Sequence, residues 1–205
     1  MEQAVKEFWD KRFAEPGYSY GTEPNVFFKS TIDSLHPGRI FIPGAGEGRD
    51  VVYAATKGWE VYCADLSEAG KMKALKLAAE NNVRIQYDVK SIDDVQYAED
   101  YFDVVASIYF HLPEKTRKSF CSHSIKWLKP GGLFISELFT PQQLQNTSGG
   151  PKDVALLVTA EQMAKDLQEL EIIKNEETEV ILNEGKYHRG KANVVRFIGK
   201  KKQEK

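Results

Sequence analysis

The chain has few cysteines, no long apolar run and no excess of either charge. Two cysteines occur in 205 residues, Cys63 and Cys121. They lack metal or redox spacing and are expected to be reduced core thiols. No apolar run approaches the roughly 18 residues that a membrane span needs. The opening Met-Glu-Gln-Ala-Val-Lys-Glu has no basic region followed by an apolar core, so it is not expected to be a signal peptide. Lys plus Arg total 28 against 30 Asp plus Glu, a net charge of −2. No basic field is present to recruit nucleic acid or an anionic membrane. Repeats, low-complexity tracts, an interdomain linker and a metal-ligand cluster are also missing. These absences leave a single cytoplasmic domain over 1–205, monomer or homodimer. With 41% hydrophobic residues it is large enough to build a core without staples.

A helix pattern spans Gln3 to Phe13, with Val5, Phe8, Trp9 and Phe13 on one side. Pro16-Gly17 breaks it, and the aromatic loop Tyr18-Ser-Tyr-Gly-Thr-Glu-Pro24 follows. Pro24 suits the first turn of a second helix running to about Leu35. From Arg39 the pattern alternates. Strands are expected at 39–43, 60–65, 83–88, 102–108 and 132–139, and helices at 47–57, 68–81, 113–127 and 159–170. Thr159-Ala-Glu-Gln162 is a capping box for the last of these. Such alternation predicts an α/β fold whose parallel sheet is covered on both faces. Glu171–Leu182 and Asn193–Gly199 are β-rich and predict a closing antiparallel hairpin joined through 183–190. Tyr187-His-Arg189 is then expected in an exposed turn, and Lys200–Lys205 as a solvated end. The expected architecture is a Rossmann-like, doubly wound seven-stranded sheet, mostly parallel with an antiparallel C-terminal hairpin strand.

The first strand enters Pro43-Gly-Ala-Gly-Glu-Gly-Arg-Asp50, and the second ends on Asp65. Glycines let backbone approach a ligand, and a helix N-terminus offers free N–H groups. A carboxylate at the end of the second strand can accept hydrogen bonds from two ribose hydroxyls. Gly44, Gly46 and Gly48 form G-x-G-x-G, whereas a dinucleotide fingerprint would place its third glycine where this chain has Arg49. The spacing with Asp65 points to S-adenosyl-L-methionine (AdoMet) as cofactor. Gly44, Ala45 and Gly46 would lie against its methionine and ribose, and Leu66 and Ser67 would edge the adenine. Asp88 would accept from the adenine amino group while the Val89 N–H serves a ring nitrogen. A Ser107 or Ile108 carbonyl would meet the methionine ammonium. Each has a plainer rival: Asp65 as a helix cap, Asp88 as a turn residue, His111 as a packed histidine or cap.

The chain resembles class I AdoMet-dependent methyltransferases over essentially its whole length. Asp103-Val-Val-Ala-Ser-Ile108 and Leu128-Lys-Pro-Gly-Gly-Leu-Phe-Ile135 look like that superfamily's fourth strand and its turn into the fifth. The Pro43–Asp50 loop is similar to that of thiopurine and thiol methyltransferases. Trp9-Asp-Lys-Arg12, Tyr20-Gly-Thr-Glu-Pro24 and Phe110-His-Leu-Pro113 resemble small bacterial enzymes grouped with tellurite-resistance methyltransferases. The resemblance implies that 1–36 folds over the cofactor, with Trp9, Arg12 and Tyr20 at its methionine end. Aromatic faces attract a sulfonium, and Arg pairs bidentately with a carboxylate. Two departures stand out: Ile42 occupies a commonly acidic position, and Ala45 replaces a common cysteine.

The expected activity is methyl transfer to a small-molecule acceptor, with a thiol, thiopurine-like or chalcogen compound favoured. A hydroxyl acceptor would need a general base, for which His111 and His188 are the candidates; His111 is the expected catalytic residue. No Asn-Pro-Pro-Tyr-type tetrad for planar amines is present, and no metal is expected. The polar segment 140–157 is a candidate substrate loop. The alternatives are a non-catalytic AdoMet-binding sensor or scaffold, a dinucleotide-dependent oxidoreductase, which Arg49 disfavours, and a methyltransferase acting on a macromolecule.

Overall fold

A computed structural model describes residues 2–203. Its seven strands form a mixed, mostly parallel sheet with an antiparallel C-terminal end. Contacts gather in two compact units. One takes the chain up to Val95 together with Glu184–Tyr187; the other takes Gln96–Asn183 and the chain from His188 on.

The first unit contains α1 (Glu2–Phe13), α2 (Val26–Ile32), β1 (Arg39–Pro43), α3 (Arg49–Thr56), β2 (Glu60–Asp65), α4 (Glu68–Glu80) and β3 (Gln86–Val89). Its strands lie in the order β3-β2-β1, all parallel. β1 is buried almost throughout, so its Ile-Phe-Ile run reads as continuous hydrophobicity rather than alternation. The register sets Pro43 opposite Ala64 and Asp65 opposite Val89, which aligns the C-terminal ends of all three strands. Asn25, not Pro24, starts α2: its side chain accepts from the Phe28 N–H. β3 begins three residues later than the 83–88 expectation. The Val83 N–H is spent on the Ala78 carbonyl, closing the end of α4.

The second unit contains β4 (Phe102–Ile108), α5 (Glu114–Trp127), β5 (Leu128–Phe139), α6 (Ala160–Asp166), most of β6 (Glu171–Glu184) and β7 (His188–Lys200). Its strands lie in the order β4-β5-β7-β6, with β4 and β5 parallel and β7 antiparallel to β5. Phe102, Leu128, Phe134, Ile135, Phe139 and Phe197 fill its core. The Thr159–Gln162 capping box is made in full, but α6 stops at Asp166, short of the expected 170. Both hairpin strands are longer than the sequence suggests, leaving only Gly185, Lys186 and Tyr187 between them.

Two exposed segments expected from the sequence are instead held. His188 is a buried first residue of β7, 5% exposed, not part of a solvent turn. Lys200 is in β7, and the Lys201 backbone pairs with Gly131 and Gly132 while its Nζ donates to Asp100 and the Leu128 carbonyl. Glu204 and Lys205 lie outside the described residues. Among the described residues no helix is long and apolar enough to cross a membrane.

Candidate functional site

The glycine loop follows β1 directly. Gly44, Gly46 and Gly48 have φ of 63°, 50° and 98°, left-handed values that a side chain would strain. The Gly44 N–H donates to the Ala64 carbonyl at 2.8 Å and ties the loop to β2. A Cβ on Gly48 would sit 2.7 Å from that of Ala74, so this glycine also permits close packing against α4.

Asp65 shapes the loop. Its Oδ2 accepts the Gly46 N–H and its Oδ1 the Ser67 N–H, both at 2.9 Å. From the other side the buried Tyr87 hydroxyl donates to the Gly46 carbonyl at 2.9 Å. Burial pushes the Asp65 carboxyl above its ordinary value, and the N–H donors from Gly46, Ser67 and Leu66 oppose that rise. A carboxylate offers about four lone-pair directions, so acceptor capacity remains beyond these N–H donors. The capping of α4 falls to Ser67, whose hydroxyl oxygen accepts from the Gly70 N–H. Leu66 is half-buried beside it. Val89 stands opposite Asp65, whereas Asp88 is exposed and paired with Lys90 at 2.9 Å.

The N-terminal segment is fastened onto this loop. Ser67 donates to Asp10 Oδ1 at 2.7 Å, and the Ala69 N–H donates to the same oxygen at 3.2 Å, so α1 is held across the start of α4. Burial works against ionisation of Asp10. The Lys6, Ser67 and Ala69 donors overcome it and hold the carboxyl at about 2. Phe13 is 4% exposed and wedges against two glycines: a Cβ on Gly46 would lie 3.1 Å from its ring, and one on Gly70 at the same distance. Trp9 stacks on Phe13 with centroids 5.2 Å apart, and Tyr20 lies 6.3 Å and 6.4 Å from the two rings. Arg12 donates to the Tyr20 hydroxyl at 3.1 Å and lies over the Tyr187 ring at 3.8 Å and the Phe8 ring at 5.0 Å. No carboxylate among the described residues pairs with its guanidinium.

The structure thus brings Trp9, Arg12, Tyr20, Gly44, Ala45, Gly46, Asp65, Leu66 and Ser67 into one neighbourhood. It adds residues that were not expected to shape the site. Glu47, inside the loop, accepts the Ser19 N–H at 2.6 Å and pairs with Lys73 at 2.7 Å. Arg49 pairs with Glu184 at 2.8 Å and donates to the Tyr20 carbonyl, and Asp50 accepts the Asn25 N–H at 2.8 Å. The available signal was charge: Glu47, Arg49 and Asp50 are three ionisable residues in and just after a glycine loop, and such groups are seldom buried without partners.

In the second unit, Ser107 and Ile108 are the buried last residues of β4, opposite Ser136 and Glu137 of β5. Tyr109 follows with a left-handed φ of 51°, and its hydroxyl donates to Glu137 at 2.7 Å. Glu137 is 1% exposed and pairs with Arg196 at 2.6 Å.

His111, the expected catalytic residue, is packed, as its plainer rival reading had it. Its Nδ1 donates to the Leu156 carbonyl at 2.9 Å, which fixes the tautomer, and its Nε2 faces the Phe139 N–H at 3.4 Å. Its ring stacks on Phe139. Burial drops its pKa to about 4, so the imidazole is a neutral structural bridge.

The segment after β5 is also tied down. The Gln143 side chain donates to Ser148 and Gly149 and accepts the Asn193 N–H, and Ser148 donates to the Lys191 carbonyl. Among the described residues no cluster of three His, Cys, Asp or Glu side chains is placed to hold a metal.

Comparison with known proteins agrees with this geometry. Residues 41–132, from within β1 into the turn of β5, match the methyltransferase domain family. The chain is 24% identical over 214 residues to the thiopurine S-methyltransferase of Legionella pneumophila (strain Corby), covering 93% of this chain and 95% of the relative. Its fold is shared with a solved structure concerned with the conversion of a disulfide bond into a thioacetal group during echinomycin biosynthesis. The TM-score is 0.80 at 13% identity, over 100% of this chain and 93% of the other. TehB from Haemophilus influenzae superimposes with a TM-score of 0.71 at 15% identity, over 96% of this chain and 67% of that one. A glycine loop closed by a strand-end carboxylate lies inside the segment that matches the methyltransferase domain family, and the likenesses together support a class I AdoMet-dependent methyltransferase.

Proposed function

We propose that this protein transfers the methyl group of AdoMet to a small sulfur or other chalcogen nucleophile. The observation that carries the cofactor half is the Asp65 carboxylate, fixed by the Gly46 and Ser67 N–H groups with acceptor capacity in reserve. In this reading Asp65 receives the ribose hydroxyls. Leu66, Ser67 and Val89 edge the adenine, with Asp88 at its amino group. The Gly44–Gly46 backbone lies along the ribose and methionine. Arg12 takes the methionine carboxylate, and Trp9 and Tyr20 face the sulfonium.

Bound AdoMet supplies an activated methyl group; the protein supplies alignment and exclusion of water. A thiol with an ordinary pKa near about 8.5 ionises without a strong base. That suits a chain whose His111 is held neutral between backbone groups. The thiopurine S-methyltransferase relative supports a small sulfur acceptor, and two buried, unpaired thiols accord with a reducing, cytoplasmic setting.

Calorimetric titration with AdoMet and with NAD tests the cofactor, and a labelled-methyl screen over small thiols, chalcogen oxyanions and amines tests the acceptor. AdoMet binding with labelled thiol or chalcogen product is expected. NAD binding without AdoMet binding would overturn the cofactor assignment. Label only in amines would overturn the acceptor class, and binding without label in any acceptor would favour a sensor.

A further inference from the structure

Arg12 makes no salt bridge with a carboxylate among the described residues and feels Glu15 only at longer range, yet its position is tightly defined. The definition comes from the tip of the C-terminal hairpin. The Tyr187 ring lies under the guanidinium at 3.8 Å. The Tyr187 hydroxyl donates to the Glu15 carboxylate at 2.8 Å, and Lys186 pairs with the same carboxylate at 2.9 Å. The tip itself is seated by backbone. The Lys186 and Tyr187 N–H groups donate to the Ser19 carbonyl at 2.9 and 3.3 Å. Gly185 approaches the N-terminal segment so closely that a Cβ on it would lie 2.3 Å from the Gly21 nitrogen. Glu184 completes the seating by accepting from Arg49 and Asn25.

We infer that Tyr187 is a positioning residue for the methionine carboxylate of the cofactor, acting through Arg12. The inference rests on the AdoMet reading of the preceding section. A guanidinium whose central carbon sits over an aromatic ring can keep N–H donors free, because the ring makes no hydrogen bond with them in a face contact. The group can then present two parallel donors to a carboxylate, while Tyr20 takes one NH1 donor and limits rotation. Glu15 is engaged by the hairpin tip: the Lys186 and Tyr187 donors, with a smaller charge effect from Arg12, hold its carboxyl below the ordinary glutamate value. Tyr187 thus supplies the platform that orients Arg12 and also occupies the nearby acid that would otherwise compete for it.

The test compares two ligands that differ only at this end. S-adenosylhomocysteine carries the amino-carboxylate; 5′-methylthioadenosine lacks it. Tyr187→Leu is expected to weaken S-adenosylhomocysteine binding roughly ten-fold and leave methylthioadenosine binding unchanged, while Tyr187→Phe, which keeps the ring, restores most of the loss. In turnover, KM for AdoMet should rise with kcat little altered. An equal loss for both ligands would assign Tyr187 a merely structural role and overturn the inference, as would no loss for either. Should Tyr187→Leu fail to fold, side-chain NMR of wild type decides. The Arg12 guanidinium signals, assigned with Arg12→Lys, should be ring-current shifted and respond to S-adenosylhomocysteine but not to methylthioadenosine; the same response to both, or to neither, overturns it. Failure of wild type to bind S-adenosylhomocysteine at all would instead remove the AdoMet reading, and the inference with it.

Discussion

The two units bury their acids differently. In the first, Asp10, Glu47, Asp50 and Asp65 all accept backbone N–H groups, from Ala69, Ser19, Asn25, and Gly46 with Ser67, even though Lys6, Lys73 and Arg49 also pair with the first three. In the second, the deeply buried acids face cations: Glu137 meets Arg196 and Asp166 meets Arg117. An acid that binds backbone fixes the path of a loop. An acid that binds a cation holds two elements together and leaves the local backbone to its own hydrogen bonds. The first arrangement suits a ligand cradle, whose shape must exist before the ligand arrives; the second suits a scaffold.

That contrast can be broken. Asp166→Ala should have the largest effect on stability. It leaves Arg117, 5% exposed, uncompensated in the interior and should cost about 3–5 kcal/mol in denaturant unfolding, with AdoMet affinity of the folded fraction unchanged. Asp65→Ala should do the reverse. Calorimetry should show roughly a hundred-fold weaker AdoMet binding for a stability loss of about 1–2 kcal/mol. If the two variants lost stability and affinity in the same proportion, the division between cradle and scaffold would fail.

The pH dependence sharpens it further. His111 has its pKa lowered from 6.5 to about 4 in the folded state, so folding is undisturbed above pH 6.5 and loses stability as the pH falls from there toward 4. His111→Gln should flatten that part of the stability profile; an unchanged slope would mean the ring is not held neutral. Asp10 is an acid with a depressed pKa, so its contribution is present above about pH 4 and disappears as the pH falls toward 2. Asp10→Asn, read by thermal melting at neutral pH, should cost the least, about 1 kcal/mol, because the carboxylate is part-exposed.

The sequence exposed the parts of this site that are local in the chain. The three glycines and Asp65 lie within one strand-loop-helix-strand unit, and their chemistry follows from spacing. The Thr159 capping box was equally local and formed as written. What escaped was long-range. Tyr187 and Glu15 are 172 positions apart, and neither residue announces the other. His188 sits next to turn residues in sequence, but β7 pairing turns it inward against Tyr109 and Phe139. The polar run after β5 suggested a substrate loop, and the sequence did not show how it is held. Gln143 is 1% exposed because Ser148, Gly149 and Asn193 satisfy its amide, and no local pattern encodes that.

The close seating of Gly185 against Gly21 also joins the beginning of synthesis to its end. The glycine loop and the N-terminal segment packed on it emerge from the ribosome early. The residues that fasten that segment, Glu184 through Tyr187, emerge late. Joining residues so far apart in sequence carries a loop-closure cost that a local contact does not. Residues made early in synthesis thus find their fixed positions only through residues 184–187, made near its end.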